Sequence, residues 1–597
     1  MQQTIALVLI PLPHVPLLTY LSKKSLVVGN LVVVPFRSKQ ITGIVYEINP
    51  PNSFQGELKE ISEVLEWVLP KAFLDFLSIA KKYYLADFGL LTKMVLPIEL
   101  SAKHHGEEQN INPQNFNLAK LSPEQERVYF DIKNTTKPAV LYGITGSGKT
   151  EVYFHLAAQI ITANKQVLIL LPEIALSQQI IQRFSKAFGC SPAIWHSSIS
   201  PSVKKKTLNG ILSGNIKIII GTRSALFLPY KNLELIIVDE EHDDSYKQES
   251  GIHYNARDMA VLRSHLLQHK VVLGSATPSV ETYHNAKLGK YELFKLDTRH
   301  NSALLPKISI IDMRKEELSQ NHWLCPSMQA KIHQYLQAKQ QVLLFLNRRG
   351  YAPLMICKLC GYKINCLHCS SSLVWHKSRH RLECHQCGFN AKEVTRCPEC
   401  KNHDTFIPCG PGIERLQEEC QKLFANYRIL ALSKENMSSA KDAMEAINKI
   451  TNHEVDIIIG TQIITKGYHF AKLNFVGIVD ADLGFSNWDL RSVESTFQLL
   501  QQVSGRAGRE SFGEVALQSY QHNSKNLSYI VNNDYEKFIE NEIQNRETSL
   551  MPPFTKLALL TFKGANQIKT LATAKSFTTQ ATQQKGINIM GPAPAVI

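Results

Sequence analysis

The chain has 597 residues, 44% hydrophobic and 20% charged, enough for about four domains that each bury their own core, and it shows no repeats or low-complexity runs. Its 66 Lys+Arg against 52 Asp+Glu give a net charge of +14, which favours a polyanionic partner, nucleic acid before an acidic small molecule. The most apolar leading run, residues 5–18, is broken by Pro11, Pro13, His14 and Pro16 and has neither a basic leader nor a small-residue cleavage site; this excludes a membrane span and a signal peptide, and the expected location is the cytoplasm.

In chain order, residues 1–100 read as a β-rich domain, with strands expected at 4–10, 31–35 and 42–47 and a helix at 73–84. Residues 101–118 turn polar and lose periodicity, as a linker does. Residues 119–300 alternate strand and helix, with strands expected at 167–171, 216–220, 235–238 and 271–273 and helices at 175–188 and 256–267. That alternation implies a parallel sheet covered by helices, with ligands beyond the carboxyl ends of its strands. A second such unit occupies 301–518, its recognisable pattern starting near 326, with strands expected at 342–346, 428–432, 456–459 and 475–479. A cysteine-rich insert, 357–400, interrupts it just after its first strand. Residues 519–597 mix strand and helix patterns and read as a small α+β domain, expected to be truncated.

Residues 143–150, Gly-Ile-Thr-Gly-Ser-Gly-Lys-Thr, follow an apolar strand and fit a Walker A loop. Gly143, Thr145, Gly146, Ser147 and Gly148 would curl the backbone so that its N–H groups cradle a polyphosphate. Lys149 would reach the β and γ phosphates of ATP, and the Thr150 hydroxyl would hold Mg²⁺. Residues 235–242, Leu-Ile-Ile-Val-Asp-Glu-Glu-His, are an apolar strand ending in acids. Asp239 is expected on the Mg²⁺ and Glu240 on the attacking water. Arg506 and Arg509, three apart in the run 502–509, share one face of a helical turn and suit an arginine finger from the second unit.

Four Cys-x-x-Cys pairs, Cys357/Cys360, Cys366/Cys369, Cys384/Cys387 and Cys397/Cys400, account for eight of the 12 cysteines. Two such turns complete one closed tetrahedral site, so two Zn²⁺ are expected. The loop between Cys360 and Cys366 is too short for a hairpin, whereas that between Cys369 and Cys384 suits a zinc ribbon. The nested arrangement follows, with Cys366, Cys369, Cys384 and Cys387 on one ion and the outer four on the other.

The ordered segments 171–176 (Leu-Pro-Glu-Ile-Ala-Leu), 221–225 (Gly-Thr-Arg-Ser-Ala), 274–278 (Gly-Ser-Ala-Thr-Pro) and 460–467 (Gly-Thr-Gln-Ile-Ile-Thr-Lys-Gly) resemble the motifs of superfamily 2 helicases. The Asp-Glu-Glu-His box and the cysteine insert narrow the resemblance to the PriA family of replication-restart helicases, from about residue 119 to the end. The resemblance implies two RecA-like lobes and a 3′ to 5′ DNA helicase that recognises stalled forks and starts primosome assembly. It further implies single-strand-binding protein and loader proteins as partners. Ser275 and Thr277 would couple ATP state to DNA grip, Thr222, Thr461 and Lys466 would lie near the strand backbone, and Gln125 would read the adenine edge. Between the acid box and Gly274, Tyr246, Lys247, Tyr254 and Arg257 mix aromatic and basic groups that can stack on bases and track phosphates. The amino-terminal domain resembles the family's 3′-end-binding domain and keeps Lys59, but it has Leu18-Thr19 where Phe-Asp is usual and Arg37 where Gly is common. The linker is too short for the family's winged-helix module. A duplex translocase and a fork-binding scaffold with little need for ATP remain alternative readings of the same motifs.

Overall fold

The computed structural model describes residues 4–51, 57–100, 108–172, 178–299, 305–318, 322–346, 355–367, 373–376, 381–384, 389–391, 394–408, 413–432, 440–461, 470, 472–486, 490–508 and 512–592. The chain divides into two compact units, Met1–His300 and Asn301–Ile597.

At the amino end, short runs of Val, Ile and Thr divided by turn residues pair into an antiparallel sheet. Its strands β1 (Thr4–Leu9), β2 (Leu18–Ser22), β3 (Asn30–Phe36), β4 (Lys39–Ile48) and β5 (Glu63–Val68) lie in the order β2-β1-β4-β3-β5. The sequence patterns mark β1, β3 and β4; β2 follows a proline-rich run and β5 carries two glutamates, so neither shows a clean apolar alternation. The β3–β4 connection has only Arg37 and Ser38 between the paired Phe36 and Lys39, and Arg37 takes a φ of 51°. That left-handed backbone is what a glycine at this position would adopt at less cost. Helices α1 (Lys71–Tyr84) and α2 (Phe88–Val95) follow, α1 burying Phe73, Leu74, Phe76, Leu77 and Ala80 on one face.

The rest of the first unit is α3 (Pro123–Asn134), β6 (Ala139–Gly143), α4 (Lys149–Thr162), β7 (Gln166–Leu170), α5 (Gln178–Phe188), β8 (Ala193–Trp195), α6 (Pro201–Ser213), β9 (Ile218–Gly221), β10 (Leu233–Asp239), α7 (Ala256–Leu267), β11 (Lys270–Ser275), α8 (Val280–Lys287) and β12 (Glu292–Leu296). The strands form one wholly parallel sheet in the order β12-β6-β11-β10-β7-β9-β8. Strands β6, β7 and β9 are buried at every residue, which is why they read as unbroken apolar runs and not as alternating ones.

The amino-terminal domain and this lobe share one hydrophobic core. The rings of Phe76 on α1 and Phe227 lie 5.5 Å apart. Arg263, on α7 and 1% exposed, sets its guanidinium 4.9 Å from the Phe73 ring centroid and 5.1 Å from that of Tyr230. It donates to the carbonyls of Leu226 and Leu228, so its charge is buried on fixed dipoles and aromatic faces.

In the second unit, β13 (Lys307–Asp312), α9 (Pro326–Gln337) and β14 (Gln341–Phe345) precede the cysteine insert with its strands β15 (Met355–Cys357), β16 (Val374–His376), β17 (Arg381–Glu383), β18 (Asn390–Ala391) and β19 (Phe406–Pro408). Beyond it come α10 (Ile413–Leu423), β20 (Ile429–Leu432), α11 (Ala440–Thr451), β21 (Ile457–Gly460), β22 (Leu473–Ile478), α12 (Ser492–Ser504) and β23 (Glu514–Ser519). The sheet is parallel throughout, in the order β13-β23-β22-β14-β21-β20. Its first strand is β13, paired at the edge with β23, so the insert follows the second strand and not the first, as the sequence pattern suggests. Beyond β23, the described residues form α13 (Lys525–Val531), α14 (Tyr535–Thr548) and α15 (Gln567–Ala581). Residues 557–562 belong to no strand among the described residues, and Leu559 is 93% exposed.

Candidate nucleotide, metal and DNA sites

Three neighbouring strands of the first sheet, β6, β11 and β10, deliver the phosphate loop, the Gly-Ser-Ala-Thr-Pro segment and the acid box to one edge. In the loop, Gly146 and Gly148 have φ of 87° and 78°, values that β-carbon-bearing residues rarely take. A Cβ at Gly143 would lie 2.5 Å from Ser147 Oγ. Helix α4 starts at Lys149, whose Nζ donates to the Gly143 carbonyl at 2.8 Å. Gln125 is the third residue of a capping box at the start of α3: its Oε1 accepts from Ser122 N, and its Nε2 donates to Ser147 O at 2.8 Å. Both ends of the amide are thus engaged, and Gln125 braces the back of the loop.

The four residues of the acid box part company. Asp239 ends β10; its Oδ1 accepts from Tyr153 OH at 3.0 Å, and its main-chain oxygen accepts from Tyr246 OH at 2.7 Å. Burial and the neighbouring Glu240 charge push its carboxyl up to about 6, against the opposing pull of Lys149 and the Tyr153 hydrogen bond. Glu240 takes a φ of 48°, which turns the chain out of the strand, and its Oε2 accepts no hydrogen bond from the described residues. Glu241 is buried: Ser279 N, Ser279 Oγ, Thr282 Oγ1 and Arg257 Nη1 all donate to it. His242 Nδ1 lies 2.7 Å from Ser275 Oγ, which also accepts from Thr277 N, so Ser275 and Thr277 are tied directly to the box.

These residues fit a metal-bound nucleotide. The buried Ser147 Oγ lacks a hydrogen-bonding partner among the described residues, in a glycine-curled loop that leads into Lys149, and Glu240 Oε2 lacks one too, with His242 Nδ1 3.7 Å away. Polar atoms left so are what a polyphosphate and a hard cation with its waters satisfy.

The expected DNA contacts divide. Lys247 and Lys59 are exposed, Lys59 beside β2 through its carbonyl, which accepts from Leu21 N. Thr222 and Thr461 are half-buried just beyond β9 and β21. Three positions are corrected. Tyr246 and Tyr254 are each 1% exposed, so no ring face is open to a base. Tyr246 packs beneath the acid box with its hydroxyl also on Leu170 O, and Tyr254 meets Phe227 edge to face at 5.0 Å. Arg257 is buried against Glu241, Asp258 and Ser279, which is an anchoring role and not phosphate contact. Arg506, 8% exposed, follows α12 in the second unit. Arg509, Lys466, Cys369 and Cys387 lie outside the described residues. Sequence reading missed Tyr153 and Glu241; the available signal for Tyr153 is its position one helical turn after Lys149.

In the insert, antiparallel β15 and β19 bring the outer cysteine pairs together. The Sγ atoms of Cys357, Cys360, Cys397 and Cys400 lie within 4.8 Å of one another, with Cys357–Cys400 at 3.7 Å and Cys360–Cys397 at 3.6 Å. Four thiols so grouped suit a closed zinc site. Cys366 and Cys384 share a second small core with Ile364, Leu373 and Leu382. The insert docks on its own lobe: Lys363 Nζ donates to Asp482 O at 2.8 Å, and a Cβ at Gly361 would meet Tyr520 O at 2.6 Å.

Residues 122–286 match the family model described as DEAD/DEAH box helicase, and residues 392–511 match the helicase conserved C-terminal domain. With a parallel sheet in each unit and the phosphate loop at a strand's carboxyl end, this is a two-lobed helicase. Residues 7–97 match the 3′ DNA-binding domain and 366–392 the PriA DNA helicase Cys-rich region domain. Replication restart protein PriA of Rickettsia conorii (strain ATCC VR-613 / Malish 7) is 47% identical over 599 residues, covering 99% of this chain and 92% of that protein. PriA of Bacillus subtilis (strain 168) is 36% identical over 487 residues, covering 80% of this chain and 60% of that one. The chain belongs to the PriA family of replication restart proteins, as its helicase motifs, acid box and cysteine spacing imply. Among solved structures, RecG bound to a three-way DNA junction is similar at a TM-score of 0.44 and 17% identity, covering 85% of this chain and 56% of that one. No helix among the described residues is long and apolar enough to cross a membrane.

Proposed function

We propose that the chain is an ATP-dependent 3′ to 5′ DNA helicase of the cytoplasm that recognises stalled or collapsed forks and starts primosome assembly, with single-strand-binding protein and loader proteins as partners. The observation that carries the ATP reading is the juxtaposition, on adjacent strands, of the glycine-curled loop with Lys149, the Asp239–Glu240 pair and Ser275. Lys149 and the loop N–H groups bind the polyphosphate, and Thr150 and Asp239 hold Mg²⁺. When bound, that ion neutralises charge on the phosphates. Glu240 orients the attacking water, and Arg506 and Arg509 supply the arginine finger. Thr222, Thr461 and Lys466 follow the strand backbone, with Lys247 and Lys59 as exposed cations. Two Zn²⁺ hold the insert, one on Cys357, Cys360, Cys397 and Cys400 and one on Cys366, Cys369, Cys384 and Cys387.

The test is ATP turnover and strand displacement on forks with and without a leading-strand 3′ end. Single-stranded DNA is expected to stimulate turnover, and Lys149→Ala, Asp239→Asn or Arg509→Ala to abolish it. Turnover indifferent to DNA overturns the helicase assignment. Turnover without strand displacement hands it to a duplex translocase, and rescue of forks in cells by Lys149→Ala hands it to a scaffold.

A further inference from the structure

We infer that Tyr153 is a positioning residue for the metal-binding carboxylate, fixing the rotamer of Asp239 from the helix that begins at the phosphate loop; the inference rests on the proposed ATP site. Tyr153 lies one turn beyond Lys149 on α4, so both side chains leave the same face of the helix. Its ring is 3% exposed, and its hydroxyl donates to Asp239 Oδ1 at 3.0 Å. A phenol has a single proton to give, so that donation engages one carboxylate oxygen and leaves Oδ2 for other partners.

The space for this hydroxyl is built by a second element. Gly274 on β11 pairs in register with Asp239 on β10. A Cβ at Gly274 would fall 1.6 Å from the Tyr153 hydroxyl oxygen and 2.7 Å from the ring carbon that bears it. The missing side chain at Gly274 is therefore the room in which the hydroxyl sits, and the phosphate-loop helix, the acid box and the Gly-Ser-Ala-Thr-Pro segment meet at one atom. Tyr246 holds the same aspartate differently: its hydroxyl reaches the main-chain oxygen at 2.7 Å and Leu170 O at 2.9 Å. One tyrosine fixes the backbone of Asp239 and the other its side chain.

The orientation of the carboxyl matters because a hard cation takes its oxygens in a narrow geometry. An unbraced carboxylate beside Glu240 is free to rotate away from that charge, whereas Tyr153 holds it with a hydrogen bond to a charged acceptor. Such bonds correspond to about tenfold or more in an equilibrium constant.

The experiment uses the full-length chain and its Tyr153→Phe variant, which keeps the ring and removes only the donor. Affinity for a fluorescent ADP analogue is measured by equilibrium titration in EDTA and across a Mg²⁺ series, alongside thermal unfolding. The expected result is affinity within about twofold of the parent chain in EDTA, with about tenfold more Mg²⁺ needed for half of the metal-dependent gain. In an Asp239→Asn background the same substitution should change nothing further. An unchanged Mg²⁺ requirement overturns the inference and leaves the proposed ATP site standing, and so does a further loss on top of Asp239→Asn. A parent chain that binds no nucleotide overturns both.

Discussion

Removing the Glu241 carboxylate tests whether the acid box is anchored as its geometry indicates. Its side chain is 0% exposed and that of Arg257 6%, and the two meet at 3.2 Å. Glu241→Met leaves Arg257 with Asp258, which is 50% exposed and screened by water, and strips acceptors from Ser279 N and Thr282 Oγ1. Breaking a buried pair from one side costs about 3–5 kcal/mol, and the surviving Asp258 contact places this case near about 3 kcal/mol. For a folding unit spanning Met1–His300 that lowers the apparent midpoint of thermal unfolding by about 5 °C. Arg257→Met should cost a similar amount, whereas Glu241→Met with Arg257→Met, which removes both charges and keeps the volume, should recover most of the loss. The assay is differential scanning calorimetry of the four proteins in one buffer, paired with single-stranded DNA affinity at fixed salt. Simple additivity of the two single changes would refute the coupling. A tenfold loss of DNA affinity in Arg257→Met without a lowered midpoint would refute the burial argument and restore the phosphate-contact reading.

Three further outcomes follow from the same contacts. Phe76→Ala, at a fully buried ring 5.5 Å from Phe227, should cost about 3–5 kcal/mol and speed proteolysis of the amino-terminal domain, read as loss of full-length chain on a gel. Cys397→Ser should lower bound zinc from two equivalents to one by metal analysis; an unchanged count would break the assignment of Cys397 to the outer site. Burial and the nearby Arg263 charge push His269 from 6.5 down to about 3. Its neutral folded form therefore contributes stability that is fully present above 6.5 and is lost as pH falls from there towards 3. The loss is at most about 1.4 kcal/mol per pH unit. His269→Gln should flatten that part of the stability profile in denaturant titrations at pH 7, 6 and 5.

What the sequence made legible was whatever depends on local spacing. The parallel strands appear as apolar runs because both their faces are covered, and β7, β10 and β11 lie within about two residues of expectation, as boundary reading allows. The outer cysteines were legible because a Cys-x-x-Cys turn is itself a metal-binding geometry. The aromatic segment after the acid box was not. Tyr246 and Tyr254 show the same composition whether they stack on bases or close a core, and only the packing of α1 and β10 around them decides. Arg257 misleads for a related reason: its charge is compensated by Glu241, sixteen residues earlier and brought to it by the fold. Edge strand β13 escaped notice because its partner β23 lies some 200 residues away in the chain.

The Asp-Glu-Glu-His box is thus less a list of catalytic residues than a branching point. Because Glu240 breaks from the strand at a φ of 48°, consecutive side chains diverge: Asp239 reaches α4, Glu241 reaches α7 and α8, and His242 reaches the end of β11. Helix α7 carries the contact onward. Arg263 on its far end binds the Phe73 and Tyr230 faces, and Tyr84 at the end of α1 accepts from the main-chain N–H of Asn255, the residue that caps α7. An unbroken chain of packed and hydrogen-bonded groups therefore joins the nucleotide edge of the sheet to the amino-terminal domain within one unit. Contiguity alone is not coupling. The double substitution at Glu241 and Arg257 cuts that chain at its first link while sparing the fold, so nucleotide-dependent changes in protease access to the amino-terminal domain should vanish in it if the link transmits, and persist if it only braces.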